Sequence, residues 1–158
     1  MKKVFFFCFI FFLSSFIWAN GLTPYKIAGR DRTSLSILVP PDTTRNQIKE
    51  LILEFRRARQ ANTLSSMIPP TTPGEEYGNY AVIVIFIFSE PRWASAAKLR
   101  DYWNPGIQYS RPKSSKEPQR EYEKHIRGEY YYSIGSEEYG SVGYSDQVFH
   151  TKDYKRLF

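Results

Sequence analysis

The sequence is poor in the side chains on which metal binding and nucleophilic catalysis depend. Its 158 residues include one cysteine, Cys8, and two histidines, His125 and His150. A zinc site needs three or four Cys, His or carboxylate ligands, and two distant histidines do not supply one. The G-x-S-x-G turn, the H-E-x-x-H helix and a glycine-rich phosphate loop are also absent from the sequence. We therefore predict neither a metal site nor a cofactor.

The N-terminal segment has the layout of a bacterial secretory signal peptide. Lys2 and Lys3 form a basic start, residues 4–13 are apolar, and Ala19 is a small residue at a suitable distance for cleavage. We predict a signal peptide over residues 1–19 and export to the periplasm or the medium. Cleavage after Gly21 is the alternative.

A membrane anchor and a lipoprotein are the two other interpretations of this segment. The apolar stretch over residues 4–19 is interrupted by Ser14 and Ser15, and it is shorter than the roughly 20 apolar residues that a spanning helix needs. Bulky residues surround Cys8, where small residues would precede a lipidated cysteine. We therefore expect no stable membrane anchor after cleavage.

Cleavage would leave a single domain over residues 20–158 with a modest charge. Removing Lys2 and Lys3 from the 22 basic residues leaves 20 against 16 acidic residues, a formal net charge of +4. No cysteine would remain, so no disulfide can form and the apolar core alone must hold the fold. The low charge and the exported location both argue against nucleic acid as a partner.

The first half of the domain predicts a hairpin followed by a helix. Residues 25–30 and 35–39 have the composition of two short strands joined by a polar turn. Thr44 and Gln47 have the spacing of a capping box, which starts a helix. An apolar stripe at helical spacing follows, and it predicts a helix over residues 45–60.

Residues 80–88, YAVIVIFIF, predict a central strand that is apolar on both faces. Val82, Val84, Phe86 and Phe88 point to one side of such a strand, and the alternate residues point to the other. Because both faces are apolar, other elements or another chain must pack against each of them. If helices cover only one face, a second copy of the chain or another protein would cover the other, so a homo-oligomer is one expectation.

The second half predicts two more helices and a closing hairpin. A helix capped by Ser89, with Pro91 in its first turn, is predicted. Its buried side would consist of Trp93, Ala96, Ala97, Leu99 and Trp103. The two tryptophans are either core residues or an aromatic platform for a ligand. A short helix over residues 116–127 and strands over residues 129–134 and 139–144 follow. The fold class is thus α+β, with a mostly antiparallel sheet of about five strands, two to three helices and the order β-β-α-β-α-(α)-β-β.

The closing hairpin is rich in tyrosine, a composition that suits a contact surface as well as a packed one. Tyr130 and Tyr132 share one face of the strand, and Tyr131 lies on the other. We predict that Tyr131 and Tyr144 are exposed contact residues, with Trp93 as a further binding candidate. The alternative is that these rings pack under the helices with their hydroxyls at the rim.

The sequence favours a binding module over an enzyme, with protein or cell-envelope material as its partner. A small extracellular hydrolase is the alternative. It would use His125, which has Glu121 one helical turn before it and Glu129 four residues after it. A carboxylate that orients an imidazole is the beginning of an acid–base site, although the sequence reveals no nucleophile to complete it.

Overall fold

The computed structural model describes residues 21–103, 117–146 and 149–158, so the predicted signal peptide lies outside the described residues. Within these ranges the chain forms one six-stranded sheet and three helices. The strands are β1 Lys26–Asp31, β2 Ser34–Leu38, β3 Val82–Phe88, β4 Gly128–Ser133, β5 Glu138–Val142 and β6 Lys155–Arg156. The helices are α1 Arg45–Gln60, α2 Ala96–Trp103 and α3 Glu117–Lys124, with a short 3₁₀ turn at Leu64–Ser66. The predicted α+β class is confirmed.

The strands lie in the sheet in chain order, from β1 to β6. Only β2 and β3 pair in parallel, because α1 connects them, and the other four pairs are antiparallel. The predicted mostly antiparallel sheet and both predicted hairpins are therefore confirmed. The prediction of about five strands missed β6, which has only two residues at the edge of the sheet.

Helix α1 begins as its sequence predicts. The backbone amide of Gln47 donates to the Thr44 hydroxyl, and the Gln47 side chain accepts a hydrogen bond from the Thr44 backbone amide at 2.7 Å. These bonds satisfy two of the amides that a helix start leaves without partners. The apolar stripe of α1 is buried against the sheet; it consists of Ile48, Leu51, Ile52 and Phe55.

Strand β3 lies at the centre of the fold and contributes to two apolar cores. Ile83, Ile85 and Ile87 lie in the core beneath α1. Val84, Phe86 and Phe88 lie in the core on the opposite face, which α2 and α3 cover. Both faces of β3 are thus covered by helices of the same chain, so the strand gives no reason to expect a second copy there.

The second helix differs from its prediction. It begins at Ala96 rather than near Ser89, and the Lys98 amide donates to the Ser95 hydroxyl at its start. Trp93 is buried in the turn before the helix, whereas Trp103 is 40% exposed at its end. The expectation that both tryptophans belong to one buried helical side is therefore wrong.

The cause of this shift is a close approach between β1 and the turn that precedes α2. A Cβ at Gly29 would lie 2.8 Å from the Ala94 carbonyl oxygen and 2.7 Å from the Ala96 nitrogen. The backbone from Ala94 to Ala96 therefore lies directly against β1, and α2 begins at the end of this contact, at Ala96.

None of the helices in the described ranges is long and apolar enough to cross a membrane.

Candidate functional site

A cleft lined by tyrosine and asparagine side chains lies beside the C-terminal end of α1. Its volume is about 270 Å³. Its lining comes from the end of α1, from the loop that precedes β3 and from β4. We name it the tyrosine cleft, and it is lined by Arg59, Asn62, Leu64, Tyr77, Gly78, Asn79, Tyr80 and Tyr132.

The end of α1 holds Asn62 in the cleft wall. The amide of Thr63 donates to the Ala58 carbonyl at 2.8 Å, and the amide of Asn62 donates to the Arg59 carbonyl at 3.1 Å. This is the Schellman pattern of a helix C-terminus, in which one residue adopts the left-handed conformation. Asn62 is that residue, with φ of 58°, and asparagine is one of the few side chains that tolerate it. Its position is thus fixed by the helix end.

The loop before β3 is held in one conformation by two buried threonines. The Thr71 hydroxyl donates to the Val82 carbonyl at 2.6 Å, and the Thr72 hydroxyl donates to the Gly78 carbonyl at 2.7 Å. The amides of both threonines donate to the Asn79 carbonyl. These bonds close the loop over its own backbone and present Tyr77, which is 67% exposed, at its tip.

Arg59 lines the cleft and contacts two tyrosines of β4, of which Tyr132 also lines the cleft. Its guanidinium makes two hydrogen bonds of 2.9 Å to the two carboxylate oxygens of Glu138, and a third bond of 3.1 Å to the Tyr130 hydroxyl. The guanidinium carbon also lies 4.2 Å from the ring centre of Tyr132, a cation–π contact. The charge of Arg59 in the cleft wall is therefore balanced by the carboxylate of Glu138.

The pairing with Arg59 lowers the pKa of Glu138. Burial by itself would raise the pKa of Glu138, but the hydrogen bonds from Arg59 and Tyr130 outweigh burial and lower the pKa below its usual value. Arg56 adds a second cation at 3.4 Å. The arginines at the end of α1 are thus largely paired within the chain, because Arg57 likewise forms an ion pair with Glu54.

The predicted hydrolase residues do not form one group. His125 Nδ1 lies 2.8 Å from Glu90, and its Nε2 lies 3.3 Å from Glu121. The imidazole stacks on Trp93 with 4.3 Å between the ring centres. Glu129 instead accepts a hydrogen bond from the Tyr139 hydroxyl. The sequence missed Glu90 because it lies 35 residues before His125.

Glu129 belongs to a buried group of acids and phenols on the α2 and α3 side of the sheet. We name it the acid–tyrosine cluster, and it consists of Tyr102, Glu123, Glu129, Tyr139 and Tyr144. The Tyr139 hydroxyl donates to Glu129 at 2.7 Å, and the Tyr102 hydroxyl lies 2.9 Å from that of Tyr144 and donates to Glu123 at 3.3 Å.

Two carboxyl groups of the acid–tyrosine cluster have raised pKa values. Burial raises the pKa of Glu129 to about 7; the hydrogen bond from Tyr139 opposes this rise, and the charge of Glu123 adds to it. Burial also raises the pKa of Glu123, with a further contribution from the charge of Asp146. Perturbed acids of this kind occur at active sites and in structural networks alike. Glu129 is only 4% exposed, so a substrate would not reach it without movement.

The predicted binding residues lie on the same side of the sheet as this cluster, away from the tyrosine cleft. Tyr144 is 8% exposed, so the expectation of an exposed contact residue is wrong there, because its ring packs in the core around Phe86. Tyr131 is half-buried and stacks on Tyr139 at 5.2 Å. Trp93 is buried against His125. Trp103 borders a separate cavity of about 160 Å³, so the two tryptophans form no common platform.

Sequence reasoning missed Tyr77 and Tyr80 as site residues. The signal for Tyr77 was the long proline-rich connection over residues 62–79, which is typical of functional loops and of tolerated insertions alike. Tyr80 was assigned to the predicted strand that follows this connection. Tyr132 was recognised as part of the tyrosine-rich hairpin but not assigned to a site. In the described ranges no cluster of three or more His, Cys, Asp or Glu side chains is arranged to hold a metal ion.

Comparisons with protein families, with curated proteins and with solved structures found no match to this chain.

Proposed function

We propose that this protein is a binding module that captures cell-envelope material in the tyrosine cleft. The observation that carries the proposal is the preorganised display of Tyr77. A large aromatic ring that remains 67% exposed on a loop closed by Thr71 and Thr72 offers contact area at little further cost in conformational entropy. Interface energy is concentrated in such aromatic anchors.

Tyr77→Ala tests this proposal. We expect retention on envelope extract to fall about tenfold or more, because the variant removes the exposed anchor of the cleft. Binding is measured by pull-down and by titration with fractionated extract. Tyr154→Ala is the matched control, since Tyr154 is also an exposed tyrosine but lies outside the cleft. Equal losses in both variants would contradict a role for the cleft.

Tyr131→Ala separates the cleft from the other face of the closing hairpin. Tyr131 and Tyr132 are adjacent in β4 but contribute to opposite faces of the sheet. A loss of binding in Tyr131→Ala with full binding in Tyr77→Ala would assign the contact surface to the face that the sequence first suggested.

A small extracellular hydrolase is the second candidate, and the two carboxylates at His125 are the observation that favours it. Both ring nitrogens lie within hydrogen-bonding distance of these carboxylates, which fix the orientation of the imidazole. If this function is correct, the purified protein hydrolyses a component of envelope extract, and His125→Ala abolishes that activity. Activity that is independent of His125 would exclude this mechanism.

We also propose export, on the basis of the basic and apolar N-terminus. We expect the mature protein from its native host to begin at residue 20, because residues 1–19 have the pattern that signal peptidase removes. Intact-mass spectrometry of the culture medium and of the periplasmic fraction measures this. An intact Met1 in a membrane fraction would contradict the proposal.

A further inference from the structure

We infer that the ligand of the tyrosine cleft is an uncharged pyranose ring of an envelope polysaccharide. This inference deepens the proposed binding function and rests on it. Three properties of the cleft support it: the charge balance of its lining, its neutral hydrogen-bonding groups and its size.

The charge balance disfavours an anionic ligand. Arg59 is the charged residue in the lining of the cleft, and both carboxylate oxygens of Glu138 accept hydrogen bonds from its guanidinium. A phosphate or carboxylate that entered the cleft would have to compete with Glu138 for this cation. Nucleic acids and acidic polysaccharides rely on unpaired basic groups, so they fit this lining poorly.

The neutral polar groups of the lining suit hydroxyl groups. The side chains of Asn62, Asn79, Tyr77 and Tyr132 make no hydrogen bond to another described residue. An amide has both donors and an acceptor, and a phenol can donate and accept. A sugar ring likewise carries hydroxyls that donate and accept around its edge. Its C–H face is apolar and packs on an aromatic ring such as that of Tyr77.

The size of the cleft matches one ring of a longer chain. Its volume of about 270 Å³ lies just under the range of roughly 300–1,000 Å³ that is typical of pockets for drug-sized ligands. Asn62, Tyr77 and Asn79 in its lining are exposed, so the cleft is open to solvent and one ring of a longer chain can enter it. A single pyranose unit of a polysaccharide fits these dimensions.

Titration with defined trisaccharides tests the inference. The probes are cellotriose and chitotriose, which are neutral, and trigalacturonate, which is anionic; binding is followed by isothermal titration calorimetry and saturation-transfer NMR. We expect at least one neutral probe to bind and trigalacturonate to bind at least about tenfold more weakly. We expect Tyr77→Ala to weaken binding of the neutral probe about tenfold, and Tyr77→Phe, which keeps the ring, to retain most of it.

Glu138→Gln tests the charge argument separately. Removing the carboxylate that pairs with Arg59 should increase the affinity for trigalacturonate several-fold, whereas the control Glu137→Gln, an exposed neighbour outside the lining, should not. No gain in Glu138→Gln would contradict the view that pairing of Arg59 excludes anions.

The remaining outcomes distinguish the inference from the function on which it rests. If the wild-type protein prefers trigalacturonate or a single-stranded oligothymidylate, the neutral-sugar inference is overturned. If no neutral probe binds but envelope extract is still retained in a Tyr77-dependent way, the sugar inference fails and the binding function stands. If Tyr77→Ala retains both extract and sugar fully, both fail.

Discussion

Ile85→Asp is expected to leave no soluble folded protein. Ile85 lies at the centre of β3, opposite Leu35 of β2 and Tyr130 of β4, and it is fully buried beneath α1. An aspartate there would be buried without a partner and would cost several kcal/mol. Domains of this size unfold at a cost of only about 5–15 kcal/mol. The soluble yield of the variant, together with circular dichroism and urea unfolding of any protein recovered, measures the effect.

Two controls show whether burial is the cause. Ile134→Asp places the same charge at an isoleucine that is 46% exposed, and it should fold. Ile85→Val removes one methylene from the same site and should cost about 0.5–1.5 kcal/mol. A near-native unfolding curve for Ile85→Asp would show that β3 is not the centre of the fold.

The central elements were predictable because their signals are local. The capping box of Thr44 and Gln47 and the apolar stripe of α1 require only the helical period, and that helix was predicted with its observed bounds. The alternation in β3 likewise assigned each side chain to its face. An element that is determined by four to sixteen consecutive residues can be predicted from the sequence alone.

The start of α2 was not predictable in this way. The sequence favours a helix from Ser89, with Pro91 at a suitable position, but the turn around Ala94 rests on the backbone at Gly29. The two segments are about 65 residues apart in the sequence, and a long-range contact overrode the local preference. Strand β6 was missed for the opposite reason, because two charged residues at a sheet edge carry no strand pattern.

The tyrosine cleft depends on contacts that no local pattern reveals. Alternation along β4 correctly places Tyr130 and Tyr132 on one face. Tyr132 and Tyr77 line the same cleft only because the loop folds back, with the Thr71 hydroxyl donating to the Val82 carbonyl. The sequence shows a proline-rich connection there, and it does not show where that connection packs.

The same limit explains the prediction that Glu129 assists His125. Their spacing in the sequence is short, but His125 directly follows α3, Glu129 lies in β4, and the chain turns between them. Glu129 is directed instead into the core that α2 and α3 cover, where Tyr139 of β5 donates to it. The burial of Glu129 makes the stability of the protein depend on pH, which is the basis of the second prediction.

The protein is expected to be more stable at pH 5 than at pH 8, and Glu129→Gln is expected to remove most of this difference. The folded-state pKa of Glu129 is raised from 4.5 to about 7. Below pH 4.5 the carboxyl is protonated in both the folded and the unfolded chain. Between pH 4.5 and 7 the unfolded chain releases its proton while the folded chain keeps it, so the free energy of unfolding falls as the pH rises.

The size of the effect follows from the shift. Each unit of pKa difference corresponds to about 1.4 kcal/mol, so Glu129 contributes on the order of 3 kcal/mol to the loss of stability across this window. The raised pKa of Glu123 acts in the same direction. Glu138 has the opposite effect, in a more acidic pH range. Its pKa is lowered, so its contribution to stability is lost only as the pH falls through that lowered value.

Urea unfolding at pH 5 and pH 8 tests this assignment in wild type, Glu129→Gln and the exposed control Glu137→Gln. We expect Glu129→Gln to be more stable than wild type at pH 8, because it removes a buried charge and keeps an acceptor for the Tyr139 hydroxyl. Glu137→Gln is the control for loss of one carboxylate, since Glu137 lies at the exposed hairpin turn and outside the acid–tyrosine cluster. An equal pH dependence in wild type and Glu129→Gln would show that the proton is held elsewhere in the acid–tyrosine cluster, with Glu123 as the group to replace next.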